Sequence, residues 1–315
     1  MAYQKRRPIE GGNKLIDLTK LTTEQRNPNT MNLDQMSPLE FVKVMNSEDA
    51  KVIEAVREVL PEVAKVIGWT TEALKRGGRI IYMGAGTSGR LGVLDAVECP
   101  PTFGVSPEVV VGLIAGGEKA FVKAVEGAED SETLGTEDLK NIGLSEKDVV
   151  IGIAASGRTP YVIHALRYAR SIGVKTAIIA CNRDSEMSRE AEIAIEPVSG
   201  PEVLTGSTRL KAGTAQKLIL NMISTGSMVG IGKAYENLMV DVMQSNEKLK
   251  TRAENIVMAA TDCSRETART TIDAAKGSVK LAIASILLNT SIEEAAKALE
   301  KADGHIRKTL DQNNK

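Results

Sequence analysis

The sequence predicts an α/β protein: a three-layer domain with a five-stranded parallel sheet flanked by helices, followed by a small C-terminal helical bundle. Three observations carry that expectation. Five aliphatic bursts of strand length alternate with helix-like segments, as parallel strands joined by right-handed crossovers do. Aromatic residues are only 3% of the 315 residues, with a single Trp, so the core must be aliphatic. That suits strands buried on both faces. From about Asn246 the strand signals stop and short Ala-rich helices follow.

The elements follow in chain order. Residues 1–48 are polar and broken by Asn27, Pro28 and Asn29, and read as an N-terminal arm with a little helix near Leu39–Met45. Apolar residues from Val52 to Ile67 recur at spacings of three and four, which predicts one amphipathic helix over Asp49–Lys75, stopped by Gly77 and Gly78. The strands are expected at Arg79–Met83, Val109–Ile114, Asp148–Ala154, Lys175–Ala180 and Ile193–Pro197. Helices are expected between them at Arg90–Val97, Ala120–Val125 with Glu132–Ile142, Tyr161–Ser171 and Ser185–Arg189. A long apolar helix over Lys211–Ile231 closes a domain spanning 49–245. In the helical domain, 246–315, breaks fall at Asp262–Ser264, Gly277–Ser278 and Asn289–Ser291.

Composition narrows the function classes. Forty basic against forty-one acidic residues leave a net charge of -1, which offers no footprint for nucleic acid or anionic membrane. The two His and three Cys (Cys99, Cys181, Cys263) follow no metal-ligand spacing, and no disulfide framework is possible. There is no apolar run of spanning length and no signal-peptide core in MAYQKRRPIEGGNK, so a cytoplasmic protein is expected.

The sharpest motif is Arg79-Ile-Ile-Tyr-Met-Gly-Ala-Gly-Thr-Ser-Gly-Arg90, a strand, a Gly-rich turn and a helix start. Amides at such a helix N-terminus attract phosphate, with Gly86, Thr87 and Ser88 as the contacting residues. Gly84, Gly86 and Gly89 also satisfy GxGxxG, so dinucleotide binding is a rival; Glu118 is a poor match to its ribose-binding acid. A second corner, Ala155-Ser156-Gly157-Arg158-Thr159-Pro160, repeats the pattern, with Pro placed to open the next helix. Two such corners in one sheet can cradle one compact phosphorylated ligand at the strands' carboxyl ends. The segment Gly200–Lys211 adds Glu202, Thr205, Ser207 and Thr208 as candidates for ligand hydroxyls, against a plain helix-capping loop.

Two carboxylates stand out. Glu98 precedes Cys99-Pro100-Pro101, which should end its helix, where the dipole disfavours an acid. Glu129 sits with Glu126 and Asp130 around Gly127. Converging on a phosphosugar, two glutamates would be the apparatus for general acid and base work; a solvated acidic face is the plainer reading of the cluster. His164 and Cys99 read as packing residues, and Lys211 and Lys217 should lie near the site.

The segments GAGTSGRLGVLDAVECPPTFG (84–104), LIAGGEKAFVKAVEGAEDS (113–131), GIAASGRTPYVIHAL (152–166) and TGSTRLKAGTAQKLILNMIST (205–225) resemble the N-acetylmuramic acid 6-phosphate etherases, as does TEQRNPNTMNLDQMS (23–37) in the arm. The resemblance runs from about residue 18 to the end. It implies a sugar isomerase (SIS) domain with a ubiquitin-associated-like tail, pairing as a homodimer with sites near the interface. It implies cleavage of the lactyl ether to N-acetylglucosamine 6-phosphate and D-lactate, in peptidoglycan recycling, with no metal and no redox cofactor. It makes Glu98 the proton donor and Glu129 the second catalytic glutamate, the base. Two alternatives share the domain: a non-catalytic sugar-phosphate-binding regulator, like the related glucokinase regulatory protein, and an aldose–ketose isomerase.

Overall fold

A computed structural model of the chain describes residues 21–244 and 246–313, so the first twenty residues of the expected arm lie outside the described residues. Helices α1 (Pro38–Glu58) and α2 (Leu60–Lys75) precede a sheet whose strands are β1 (Ile80–Gly84), β2 (Val110–Ile114), β3 (Val149–Ile153), β4 (Lys175–Ile179) and β5 (Ile193–Ile195). All four pairings are parallel, in the order β2-β1-β3-β4-β5. Between the strands run α3 (Gly86–Phe103), α4 (Lys119–Val122), α5 (Leu134–Asn141) and α6 (Pro160–Ser171), and α7 (Lys211–Gly230) follows the last strand.

The pleat divides the core. Ile80 and Tyr82 face one apolar cluster with Val52 and Val56 of α1, Val63 and Val66 of α2, Ala96 of α3, and Ile219 and Ile223 of α7. Ile81 and Met83, the alternate residues, face a second cluster with Leu139 of α5 and Tyr161, Val162 and Leu166 of α6. Every residue of β1 and β3 is buried, as the near-continuous aliphatic runs require.

The structure changes several expected boundaries. The single helix over Asp49–Lys75 is two, and the first starts at Pro38, absorbing the short helix expected at Leu39–Met45. Ser37 and Glu40 form a reciprocal capping box there. The break at Val59 precedes Pro61, which has no amide to continue the ladder. Helix α3 begins at Gly86 and runs through Pro100 and Pro101 to Phe103, well past the expected end at Val97. Those prolines remove two ladder donors; Cys99 Sγ and Thr102 Oγ1 donate to the carbonyls of Asp95 and Glu98 in the same stretch. The helix stops only at Gly104, in the left-handed conformation.

The expected helix at Ala120–Val125 is the single turn of α4, and α5 starts at Leu134 because Ser131 Oγ accepts the amides of Thr133 and Leu134. Ser185–Arg189 is reduced to a 3-10 turn at Met187–Arg189. A short antiparallel hairpin, β6 (Ala234–Tyr235) with β7 (Leu238–Met239), has no counterpart in the sequence reading.

The C-terminal helices are α8 (Glu247–Thr261), α9 (Arg265–Ala274), α10 (Val279–Leu288), α11 (Ile292–Lys301) and α12 (Ile306–Asn313). The expected breaks are their caps. Asp262 and Asn289 end α8 and α10 in the left-handed region, and Ser264, Ser278 and Ser291 accept the first-turn amides of the helices that follow. A third apolar cluster fills this bundle and also takes in Tyr235, Val240 and Val242. Among the described residues no helix is long and apolar enough to cross a membrane.

Candidate active site

Strand β1 has β2 on one side and β3 on the other, so the chain leaves the carboxyl ends of β1 and β3 in opposite directions. A crevice opens at such a switch point. Here it is a cavity of about 330 Å³, lined by Gly86, Thr87 and Ser88 from the β1 corner and by Ser156 and Thr159 from the β3 corner. Glu129, Thr208 and Glu24 complete its polar wall.

Each corner is built for close approach. Gly84 and Gly89 bring strand and helix together: a Cβ on Gly89 would lie 2.5 Å from the Gly84 carbonyl oxygen. The entry into α3 has no side-chain cap, so the first amides of that helix are available to a ligand rather than to the protein. At the second corner Gly157 holds a φ of +71°, and a Cβ there would meet Ser185 Cβ at 2.3 Å. Thr159, the uncapped residue before Pro160, donates its hydroxyl to Glu129 Oε1 at 3.1 Å. The amide of Tyr161 donates to the Glu129 carbonyl at 3.1 Å, so both ends of Glu129 are tied to the start of α6. Ser88 Oγ donates to the buried Gln216 Oε1 at 2.9 Å, which leaves its amide as the donor facing the pocket.

The structure thus brings together Gly86, Thr87, Ser88, Glu129, Ser156 and Thr159. Gly157 shapes the corner from behind the wall, and Ser207 sits one residue before the lining residue Thr208. Glu98 is elsewhere. It lies twelve residues along α3 from Gly86, about 18 Å at the helical rise, on an exposed face beside Leu94 (46% exposed) and Val97 (57%). The helix continues past Glu98, so no helix C-terminus acts on it.

Other candidates have structural tasks. Glu202 is buried and accepts the first two amides of α7, from Lys211 and Ala212, at 2.9 and 3.0 Å; it is the cap of that helix. Lys211 is fully buried, and its Nζ donates to Glu48 Oε2 and the Ser199 carbonyl rather than facing the pocket. Burial pushes the thiols of Cys99 and Cys181 up to about 12, so neither is a thiolate nucleophile. No group of three or more His, Cys, Asp or Glu among the described residues could hold a metal ion.

Sequence reasoning missed Glu24. It belongs to a 3-10 turn at Thr22–Glu24 and reaches the pocket because its neighbour Thr23 is docked on Asn182. A lone acid in a polar, aperiodic arm carries no signal of that docking.

The sheet order and the paired hydroxyl–Gly corners at its switch point define an SIS-domain protein. The family model described as "SIS domain" matches residues 123–225, and "Glucokinase regulatory protein N-terminal SIS domain" matches 58–170. Curated relatives named N-acetylmuramic acid 6-phosphate etherase match almost end to end. The one from Geobacillus sp. (strain WCH70) is 59% identical over 293 residues, covering 93% of this chain and 99% of the relative. That from Listeria welshimeri is 60% identical with the same coverage, and that from Halalkalibacterium halodurans 57%, covering 94% and 100%. The chain belongs to the N-acetylmuramic acid 6-phosphate etherase family. Among solved structures, a phosphoheptose isomerase from Francisella tularensis overlaps with a TM-score of 0.46 and 16% identity, covering 62% of this chain and 100% of that one.

Proposed function

We propose that this chain cleaves the D-lactyl ether of N-acetylmuramic acid 6-phosphate, giving N-acetylglucosamine 6-phosphate and D-lactate. The observation that carries the reading is the Glu129 carboxylate, held by Thr159 beside two phosphate-type corners in one crevice. The phosphate is seated on the amides of Gly86, Thr87, Ser88, Ser156 and Thr159 and on the hydroxyls of Thr87 and Ser156, with Gly157 and Ser207 supporting the wall. In the open-chain sugar the aldehyde acidifies the hydrogen on carbon 2. Glu129 takes that proton, the carbon 3–oxygen bond breaks, and lactate leaves as the ether oxygen is protonated. Water then adds to the unsaturated aldehyde. The alkoxide is a poor leaving group, so an acid separate from the base serves the step.

Glu98 is the proposed acid, and its place on α3 sets a condition. It cannot reach the crevice of its own chain, so it acts in the crevice of a second copy, within a homodimer whose contact includes the exposed Leu94–Val97 face. The catalytic SIS domain runs from α1 to α7, the helical domain is α8 to α12 with the β6–β7 hairpin packed on it, and the segment before α1 is the arm. The phosphorylated substrate places the enzyme in the cytoplasm.

The test uses lactate release beside exchange of the carbon 2 hydrogen with deuterated solvent. Glu98→Gln should lose lactate release by about a hundred- to ten-thousandfold while exchange persists; Glu129→Gln should lose both. Mixing the two inactive variants should restore about a quarter of wild-type activity, because half of the dimers are mixed and each holds one intact site. Near-normal lactate release by either variant removes that residue from the mechanism. Failure of the mixture to recover activity removes the shared site. A sugar-phosphate-binding regulator would bind substrate and release no lactate at all.

A further inference from the structure

The arm contributes a carboxylate to the crevice that the proposed chemistry does not use. Glu24 lines the same cavity as Thr87, Ser88, Ser156 and Glu129, and also the adjoining recess that continues past Arg158. Its position is set by buried contacts on both sides. The Thr23 amide donates to Asn182 Oδ1, and Asn182 Nδ2 donates to Thr23 Oγ1 at 3.1 Å and to the Ala155 carbonyl at 3.1 Å. Asn182 therefore fixes the arm in register with the β3 corner itself. Further along, Asn27 Nδ2 donates to Glu48 Oε2 and the Pro201 carbonyl, and Thr30 Oγ1 donates to the Val203 carbonyl. On the other side Glu24 Oε2 stands 3.3 Å from where a Cβ on Gly206 would be, so the carboxylate packs over the bare backbone of the 205–208 loop.

A carboxylate held this way beside a phosphate seat has one favourable use. It repels a second anion and accepts hydrogen bonds, so it must face a neutral donor on the ligand, away from the phosphate. We propose that Glu24 is a recognition residue for the sugar: it accepts a hydrogen bond from a hydroxyl or the acetamido N–H of a phosphorylated amino sugar. This rests on the crevice being the sugar-phosphate site. The arm is thereby part of the active site, and docking of Thr23 on Asn182 sets the distance between the phosphate seat and the sugar's recognition point.

The experiment measures binding of N-acetylglucosamine 6-phosphate and of inorganic phosphate by calorimetry to the full-length wild type, Glu24→Ala and Glu24→Gln, beside kcat and KM for N-acetylmuramic acid 6-phosphate. A hydrogen bond to a charged acceptor predicts that Glu24→Ala weakens sugar-phosphate binding by about tenfold or more. Phosphate binding should be unchanged or tighter, because a nearby like charge is gone. Glu24→Gln keeps one acceptor oxygen and should recover part of the sugar affinity. A general loosening of the arm would weaken both ligands equally and would not be rescued by Gln; that result overturns the proposal, as does unchanged sugar affinity in Glu24→Ala. If the wild type binds neither probe, the site assignment fails, and the role of Glu24 falls with it.

Discussion

Asp95 sits on the buried side of α3, where Ser224 Oγ donates to its Oδ1 at 3.1 Å and its Oδ2 is buried without a partner among the described residues. Burial raises the Asp95 carboxyl above its ordinary value, and Ser224 with the nearby Tyr82 hydroxyl only partly offsets it. A raised acid costs stability above its folded pKa and nothing below the unfolded value, where it is protonated in both states. Asp95→Asn keeps the acceptor for Ser224 and removes the group whose ionised form burial disfavours. It should stabilise the protein at pH values above the folded pKa, and the gain should vanish as the pH falls below the unfolded value of 3.8. Thermal unfolding across pH checks this, and a loss of stability across the whole range would show that the carboxyl itself is needed. In the sequence Asp95 is one polar residue in an apolar helix; its burial depends on α7, more than a hundred residues away.

At the scale of elements, the contact between β1 and α3 is made by glycines that leave no room for a side chain. The Cβ of Gly89→Ala would enter the van der Waals shell of the Gly84 carbonyl and of Ile114 Cγ1 at 2.7 Å, so α3 must shift off the sheet. Overpacking of that kind typically costs about 1–3 kcal/mol, and here it also moves the amides that open the phosphate seat. The expected outcome is lower thermal stability with weaker binding of N-acetylglucosamine 6-phosphate; binding as tight as wild type would detach the corner from the site. This motif was legible because its glycines lie within six residues of one another. The role of Glu202 was not: an acid in a Gly-containing loop looks like a ligand contact until the two α7 amides are found on it.

Across the whole molecule, one buried ion pair joins distant parts of the chain. Lys211 Nζ (0% exposed) donates to Glu48 Oε2 (3%) at 2.8 Å, and Glu48 also accepts from Asn27, Asn29 and Lys51. Arm, α1 and α7 meet at this carboxylate. Burial acts to raise it, but the hydrogen bonds from Lys211, Lys51, Asn29 and Asn27 outweigh that and lower it to about 2. A lowered acid contributes stability that is full above its unfolded value of 4.5 and is lost as pH falls through about 2. Glu48→Gln should therefore cost about 3–5 kcal/mol at pH 7, because the Lys211 charge stays buried with fewer partners. It should also flatten the acid limb of the stability profile between pH 4.5 and 2. Denaturation at a series of pH values measures both, and an unchanged acid limb would show that other carboxylates govern acid unfolding.

The sequence by itself determined the sheet, its five strands, the long closing helix and the two corners, because each is encoded by neighbours: aliphatic runs, helical spacing, and Gly with Ser or Thr within a few residues. The same local logic placed the breaks of the helical domain at their Ser, Asp and Asn caps. Only the tertiary structure decided which polar residues face the crevice and which are spent on the protein. Glu24 enters it through Thr23 on Asn182, while Glu202 and Lys211 are drawn into a cap and an ion pair. Glu98 is carried away from it by the helical run of α3 that begins at Gly86. The Glu202 cap spans nine and ten positions, while the Thr23–Asn182 and Lys211–Glu48 contacts span 159 and 163, and no local pattern records which side chain will meet which.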